Sequence, residues 1–345
     1  MLLRNCWYVA AEPAEVGERP LARQLLGEPV VMYRRADGAP VALEDRCCHR
    51  RAPLSHGRVE GDHLRCGYHG FLYEPSGKVA WVPGTERIPS GARVRSFPML
   101  EKHGYLWIWM GDAELADAAL VPDFHWNAAP GWTSGGALLP MKCNAMLVVD
   151  NLLDLSHPPF LHANSIGSTD DTSPELTWER GEGFVRGVRI ARDIQPTPRL
   201  RKMGVKSNID TDKVMTYLPA CNVVLEITQT IREPWEGPGA YHAFILNAMT
   251  PETGSSCHYF WRNCRDWDTG NAELTKFLCG ATAGAFEEDK AMLEAQQASI
   301  DLDPGAPEVS IKGDLGSIQA RRLLQALLDE QEGTEKARRQ RAVSA

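Results

Sequence analysis

The chain has 345 residues, too many for one small core and enough for two domains. Its 37 basic against 45 acidic side chains give a formal charge of -8, which argues against the basic face that a nucleic-acid binder needs. With 43% hydrophobic residues and no apolar run approaching about eighteen residues, it reads as a globular chain without a membrane span.

The opening segment MLLRNCWYVAAEPAE is apolar only briefly before turning acidic, and it lacks the charged and hydrophobic regions of a signal peptide. It reads as the start of a folded strand, and the protein as cytoplasmic. Nine cysteines in a cytosolic chain are expected to be reduced, so clusters among them favour metal over disulfide. Cys6, Cys143, Cys221, Cys257, Cys264 and Cys279 are scattered singly and read as small buried side chains.

The first third has strand patterning. Runs at 30–34 and 41–44 flank an Asp37-Gly38 turn, runs at 71–73 and 78–82 flank Pro75-Ser76-Gly77, and 105–110 is a further β-rich stretch. Beyond residue 112 the composition shifts to Ala, Asp and Pro. Strand-like runs follow near 184–191, 214–218, 223–231, 241–249 and 257–263, with helical periodicity at 145–157, 272–298 and 315–330. The charged tail 331–345 is expected to be solvated or frayed. The fold class is therefore α+β: a β-rich domain over 1–112, then an antiparallel sheet with helices over 113–345.

Two loops of the first domain carry Cys47-x-His49 and, sixteen residues on, Cys66-x2-His69. Thiolate plus imidazole suits zinc or an iron–sulfur cluster. Zinc sites usually pair like with like, whereas here each loop supplies one Cys and one His. That mixture fits a [2Fe–2S] cluster with two Cys on one iron and two His on the other. Cys48 lies between the first two ligands as a bystander, and His56 and His63 lack ligand spacing.

A second constellation reads Asn151-Leu152-Leu153-Asp154-Leu155-Ser156-His157-Pro158-Pro159-Phe160-Leu161-His162. The Pro-Pro pair is expected to interrupt the helix, which turns His162 back toward His157. Two imidazoles alone make a weak site and read equally well as core histidines. A carboxylate would complete a facial triad for iron(II). Phe286, Asp289 and Leu293 follow helical spacing, so Asp289 falls on an apolar face, while Glu287 and Glu288 fall off it and read as solvated.

These motifs resemble those of the Rieske non-haem iron oxygenases. The segment CCHRRAPLSHG…CGYHG resembles their cluster signature, except that Cys48 stands where Pro is common. RNCWYVAA, WIWMGD, NLLDLSHPPFLH and AFEEDKAMLEAQQ resemble the vanillate O-demethylase and toluenesulfonate methyl-monooxygenase branch. The resemblance implies Cys47, His49, Cys66 and His69 as cluster ligands, and His157, His162 and Asp289 as ligands of a mononuclear Fe(II). It implies Asn151 near the open side of that iron. Asp154 would be a bridging carboxylate between an iron-bound His and His69 of a neighbouring subunit.

The implied activity is a terminal oxygenase that uses O2 to O-demethylate an aromatic, often anionic, substrate or to hydroxylate its methyl group. Ring cis-dihydroxylation and simple Rieske electron transfer are the alternatives. The resemblance also implies a homotrimer with electron transfer between subunits. The chain has no G-x-G-x-x-G fingerprint and no second four-cysteine set, so a separate NAD(P)H-dependent reductase is expected. Residues 195–235 should line the substrate pocket, where Arg199, Arg201 and Lys202 offer charge for a carboxylate or sulfonate or form a solvated basic turn.

Overall fold

The computed structural model describes residues 2–84, 87–154, 156–163, 166 and 175–343. Two compact units divide the chain: Leu2–Asp123 with Thr250–Thr253, and Phe124–Met249 with Gly254–Ala345.

The first unit is built from short antiparallel strands. Tyr105–Trp109 is the middle strand of three, between Trp7–Ala11 and Met99–Lys102. Its five residues YLWIW are all buried, because both faces are covered and no polar alternation is required. A four-stranded sheet contains Leu21–Leu25, Glu28–Arg34, Pro40–Glu44 and Ser96–Phe97. Another contains Arg58–Glu60, His63–Arg65, Leu72–Tyr73 and Val79–Trp81. The turns after residue 112 stay with this unit: Trp7 Nε1 donates to the Asp117 carbonyl at 2.8 Å and Lys102 Nζ to that of Ala118 at 3.1 Å.

The second unit has a seven-stranded antiparallel sheet, in spatial order Thr133–Met141, Cys257–Arg265, Ala240–Pro251, Asn222–Ile231, Ile209–Leu218, Phe184–Ile194 and Glu175–Gly181. Phe184–Ile194 buries alternate residues over most of its length, as a strand with one packed face must. Among the described residues five helices accompany the sheet: α1 (Ala145–Leu153), α2 (Pro158–Leu161), α3 (Pro198–Lys202), α4 (Ala272–Leu302) and α5 (Leu315–Val343). Leu147, Val148, Phe286 and Leu293 from α1 and α4 meet Met215, Tyr217, Tyr259 and Trp261 from the sheet in one core. Trp178 fits because an added Cβ at Gly187 or Gly316 would stand 2.6 Å or 2.1 Å from its ring.

The structure departs from the sequence reading in three places. The edge strands Thr133–Met141 and Glu175–Gly181 were not expected; the first is disguised by Gly135-Gly136 and Pro140. Pro158 and Pro159 do not break a helix but begin α2, since the first turn needs no donors from them. The interruption lies just upstream, where α1 ends at Asp154. Finally, α5 runs through most of the tail to Val343, over a stretch rich in Glu, Gln, Lys, Arg and Ala with an i,i+4 pair Glu332–Lys336 at 3.5 Å. Residues 344 and 345 lie outside the described residues.

Candidate metal centres

The two ligand loops of the first unit are brought into contact by glycine. A Cβ on Gly57 would fall 1.9 Å from the Arg65 carbonyl oxygen, and one on Gly67 2.6 Å from that of His56. Only a residue without a side chain allows that approach. Asp45, itself buried, accepts hydrogen bonds from Ser55 N at 2.7 Å and Ser55 Oγ at 2.6 Å, which holds the outgoing chain of the first loop. Each cysteine also sits in a local turn: Cys47 N donates to Ala52 O and Cys66 N to Phe71 O, both at 2.8 Å.

Cys47 and Cys66 are buried, at 2% exposure each, while His49 and His69 lie at the surface. The two imidazoles are 4.7 Å apart between ring centroids, and His49 stacks on Phe71. The donor set is thus two inward sulfurs and two outward nitrogens, which matches a cluster with one thiolate-bound and one imidazole-bound iron. Tyr73 adds a contact that the sequence reading did not single out. Its hydroxyl lies 3.1 Å from Cys47 Sγ and 3.2 Å from Cys48 Sγ, and it accepts from Cys48 N at 3.0 Å. Cys48 is exposed, and its thiol shares that hydroxyl with Cys47.

In the second unit, α1 starts under an Asn144 cap and is buried along most of its length, which presents Asn151 from its last turn. His157 precedes α2 and His162 follows it, so a four-residue helix sets both imidazoles, with ring centroids 5.1 Å apart. Asp289 comes from the middle of α4, whose buried positions Leu278, Thr282, Ala285, Phe286, Asp289, Leu293 and Gln297 follow helical spacing. His157, His162 and Asp289 each offer one ligand atom, and these atoms lie within 4.8 Å of one another.

Asp289 Oδ1 is 3.1 Å from His162 Nε2 and 3.5 Å from His157 Nε2. His162 and Asp289 are almost closed to water, at 1% and 5% exposure. Burial of a carboxylate and two imidazoles around one point is costly without a cation, and a divalent ion supplies it. Two histidines and one carboxylate, with the remaining positions open, is the arrangement of non-haem iron(II) sites. Asn151 Nδ2 donates to Asp289 Oδ1 at 2.9 Å and lies 3.5 Å from His157 Nε2, so its amide borders the ligand set.

The outer nitrogens of the two rings have different partners. His157 Nδ1 meets the main-chain carbonyl of Asp154 at 2.7 Å. Within the chain the Asp154 carboxylate accepts from Ser156 N at 2.9 Å. His162 Nδ1 instead donates to Glu288 Oε2 at 2.6 Å. Glu288 is therefore not simply solvated: it lies off the apolar stripe of α4, but the His162 ring reaches out to it. The one signal for it in the sequence is its place beside the ligand Asp289. Burial depresses the His157 pKa despite Asp289. At His162 burial pulls the same way, but Asp289 and Glu288 outweigh it and hold the pKa above the usual histidine value.

Beside this site lies a cavity of about 740 Å³, open mouth included, lined by Leu152, Pro158 and Phe286 near the ligands and by Leu225, Ile227 and Ile245 from the sheet. Arg199 also lines it; Arg201 does not, being exposed with Nη1 bonded to the Pro196 carbonyl at 2.6 Å.

The cluster loops in one unit and a facial triad beside a cavity in the other define a Rieske-type oxygenase with a mononuclear non-haem iron site. Comparison with known proteins agrees with this class. Residues 6–98 match the Rieske [2Fe-2S] domain and residues 141–330 the vanillate O-demethylase oxygenase C-terminal domain. The chain is 37% identical to a putative toluene-4-sulfonate monooxygenase system iron-sulfur subunit of Comamonas testosteroni, covering 96% of this chain and 99% of the relative. It is 34% identical to a vanillate O-demethylase oxygenase subunit of a Pseudomonas species, covering 98% of each. The crystal structure of dicamba monooxygenase bound to 3,6-dichlorosalicylic acid superimposes with a TM-score of 0.89 at 31% identity, covering 95% of this chain and 98% of that one. The protein belongs to the terminal oxygenase components of Rieske oxygenases, in the vanillate O-demethylase and toluenesulfonate monooxygenase branch.

Proposed function

We propose that this oxygenase removes an O-methyl group from, or hydroxylates a methyl group on, an aromatic substrate held in the cavity beside His157, His162 and Asp289. The observation that carries this reading is the convergence of those three ligands within 4.8 Å, next to a mostly apolar cavity of a size that admits one substituted ring. Relatives in the branch bear the names of vanillate, toluene-4-sulfonate and dicamba, each a methyl- or methoxy-bearing aromatic anion.

When bound, the [2Fe–2S] cluster would supply single electrons and the ferrous ion would supply the site of O2 activation. Cys47, Cys66, His49 and His69 would hold the first, and His157, His162 and Asp289 the second. The remaining work falls to the protein. Leu225, Ile227 and Ile245 exclude water from the ring, and Phe286 and Pro158 shape its approach to the ligands. Glu288 and the Asp154 carbonyl fix the two imidazoles through their outer nitrogens.

The cluster imidazoles lie at the surface, where an electron partner can touch them. This supports a homotrimer in which one subunit's cluster serves the next subunit's iron, with His69 facing Asp154 across the contact. As an oxygenase component the chain works with a separate reductase. The test is oxygen uptake and formaldehyde release with a generic reductase over methoxy- and methyl-substituted benzoates and sulfonates. Formaldehyde from a methoxy substrate, or a benzylic alcohol from a methyl one, is expected; cis-diols as the sole products would overturn the reading.

A further inference from the structure

The cavity is not uniform. Its ligand end is mostly apolar, but Thr197, Arg199 and the strand residues Lys213 and Gln229 also face it, and no carboxylate is found among the described residues that line it. Arg199 stands on α3, whose Thr197 cap accepts from Leu200 N at 3.4 Å and so sets the first helical turn. From there the guanidinium donates through Nη2 to Oε1 of the buried Gln229 at 3.0 Å. A guanidinium has five N–H donors in a planar fork. Among the described residues Gln229 is its one side-chain acceptor, and no described Asp or Glu pairs with it.

Burial strips water from the Arg199 guanidinium and pulls its pKa below the ordinary arginine value. Arginine nevertheless stays protonated in proteins. A desolvated cation without a counter-charge is costly, and proteins rarely keep one unless something arrives to pair with it. The fork is therefore free to meet a planar or tetrahedral oxyanion carried on the substrate.

We propose that Arg199, oriented by Gln229, is the substrate's anion anchor, so that this enzyme selects aromatic carboxylates or sulfonates over neutral aromatics of the same shape. The proposal rests on the reading of the cavity as the substrate site. It narrows the substrate class, because relatives named for chloroacetanilides and methylsterols show that the wider group also includes uncharged substrates. It also decides between the two arginines of α3. Arg199 lines the cavity, and with Gln229 and Tyr241 also an adjoining smaller one, whereas Arg201 is spent on the Pro196 carbonyl at the surface.

The test uses the complete oxygenase with cluster and iron loaded. Binding of 4-methoxybenzoate, 4-toluenesulfonate and the neutral isostere 4-methoxybenzamide is measured calorimetrically under anaerobic conditions. The wild type should bind at least one of the anions roughly tenfold or more tighter than the amide. Arg199→Gln should abolish that preference by weakening the anion 10- to 100-fold, Arg199→Lys should restore part of it, and Arg201→Gln should leave it unchanged. The cluster absorbance and iron content report that each variant is folded and loaded.

An Arg199→Gln protein that keeps the anion preference would overturn the proposal, as would a wild type that favours the amide. If the wild type demethylates only neutral aromatics, the anchor fails while the oxygenase reading stands. If it binds and turns over no aromatic at all, both fail.

Discussion

Glu288 makes a specific demand on the iron site. Its Oε2 lies 2.6 Å from His162 Nδ1, while the neighbouring Asp289 faces the other nitrogen of the same ring at 3.1 Å. Removing Glu288 takes away the acceptor that fixes the tautomer and the charge that makes Nε2 a stronger donor. Losses of this kind typically weaken metal binding by 10- to 100-fold. The Glu288 side chain is 39% exposed, so water can partly replace it and the lower bound applies. We therefore expect Glu288→Ala to raise the Fe(II) dissociation constant about tenfold, or about 1.4 kcal/mol. Glu288→Gln, which keeps an acceptor but loses the charge, should fall between Ala and wild type. Anaerobic titration of ferrous ion into metal-depleted oxygenase reads this directly, with the cluster absorbance as the control for folding. If Glu288→Ala binds Fe(II) within twofold of wild type, the ring is held by packing alone and the argument fails.

Tyr73→Phe should lower the cluster midpoint potential by something on the order of 50 mV, because a hydrogen bond to a ligating sulfur favours the more negative reduced state. Redox titration followed by the reduced-cluster resonance would show it, and an unchanged potential would refute it. Arg321→Gln addresses the partly buried Asp150 that Arg321 pairs with. Burial holds the Asp150 carboxyl above its ordinary value against the pull of Arg321. A group with a raised folded pKa contributes stability that is fully present below its unfolded pKa, near 4, and is lost as pH rises through the folded value. Without Arg321 the folded value climbs further, so urea titrations should show a larger loss at pH 7 than at pH 4; equal losses would contradict the assignment.

Much of the chemistry was visible in the sequence because it depends on side chains that few folds can spare. The Cys-x-His and Cys-x2-His loops were legible because each pairs one thiolate with one imidazole at fixed spacing, and the histidines at 157 and 162 because a carboxylate could complete a ligand set with them. Asp289 was legible because an acid on an apolar helical stripe calls for a partner. Glu288 was misread because a helical wheel describes the helix and not the His162 ring that reaches across to it. That His157 Nδ1 meets the main-chain carbonyl of Asp154 was not legible either, because spacing cannot specify which oxygen of a neighbouring residue a ring will reach. Arg199 and Arg201 were read together, and only the structure separates them: Arg199 lines the cavity and Arg201 is exposed. The strand 133–141 was hidden because its glycines imitate a turn, while its nine-residue pairing with 257–265 is a long-range fact.

The helix that carries Asp289 also carries Thr282 and Phe286 in the cavity wall. One rigid rod therefore sets both the chemistry and the room available to it, so a bulky guest that presses on Phe286 also pushes on the ligand one turn on, about 4.5 Å of helical rise away (about 1.5 Å per residue). Attempts to broaden the range of accepted compounds should accordingly recut the opposite face, at Leu225, Ile227 and Ile245, where the sheet can be resculpted without tugging on the iron.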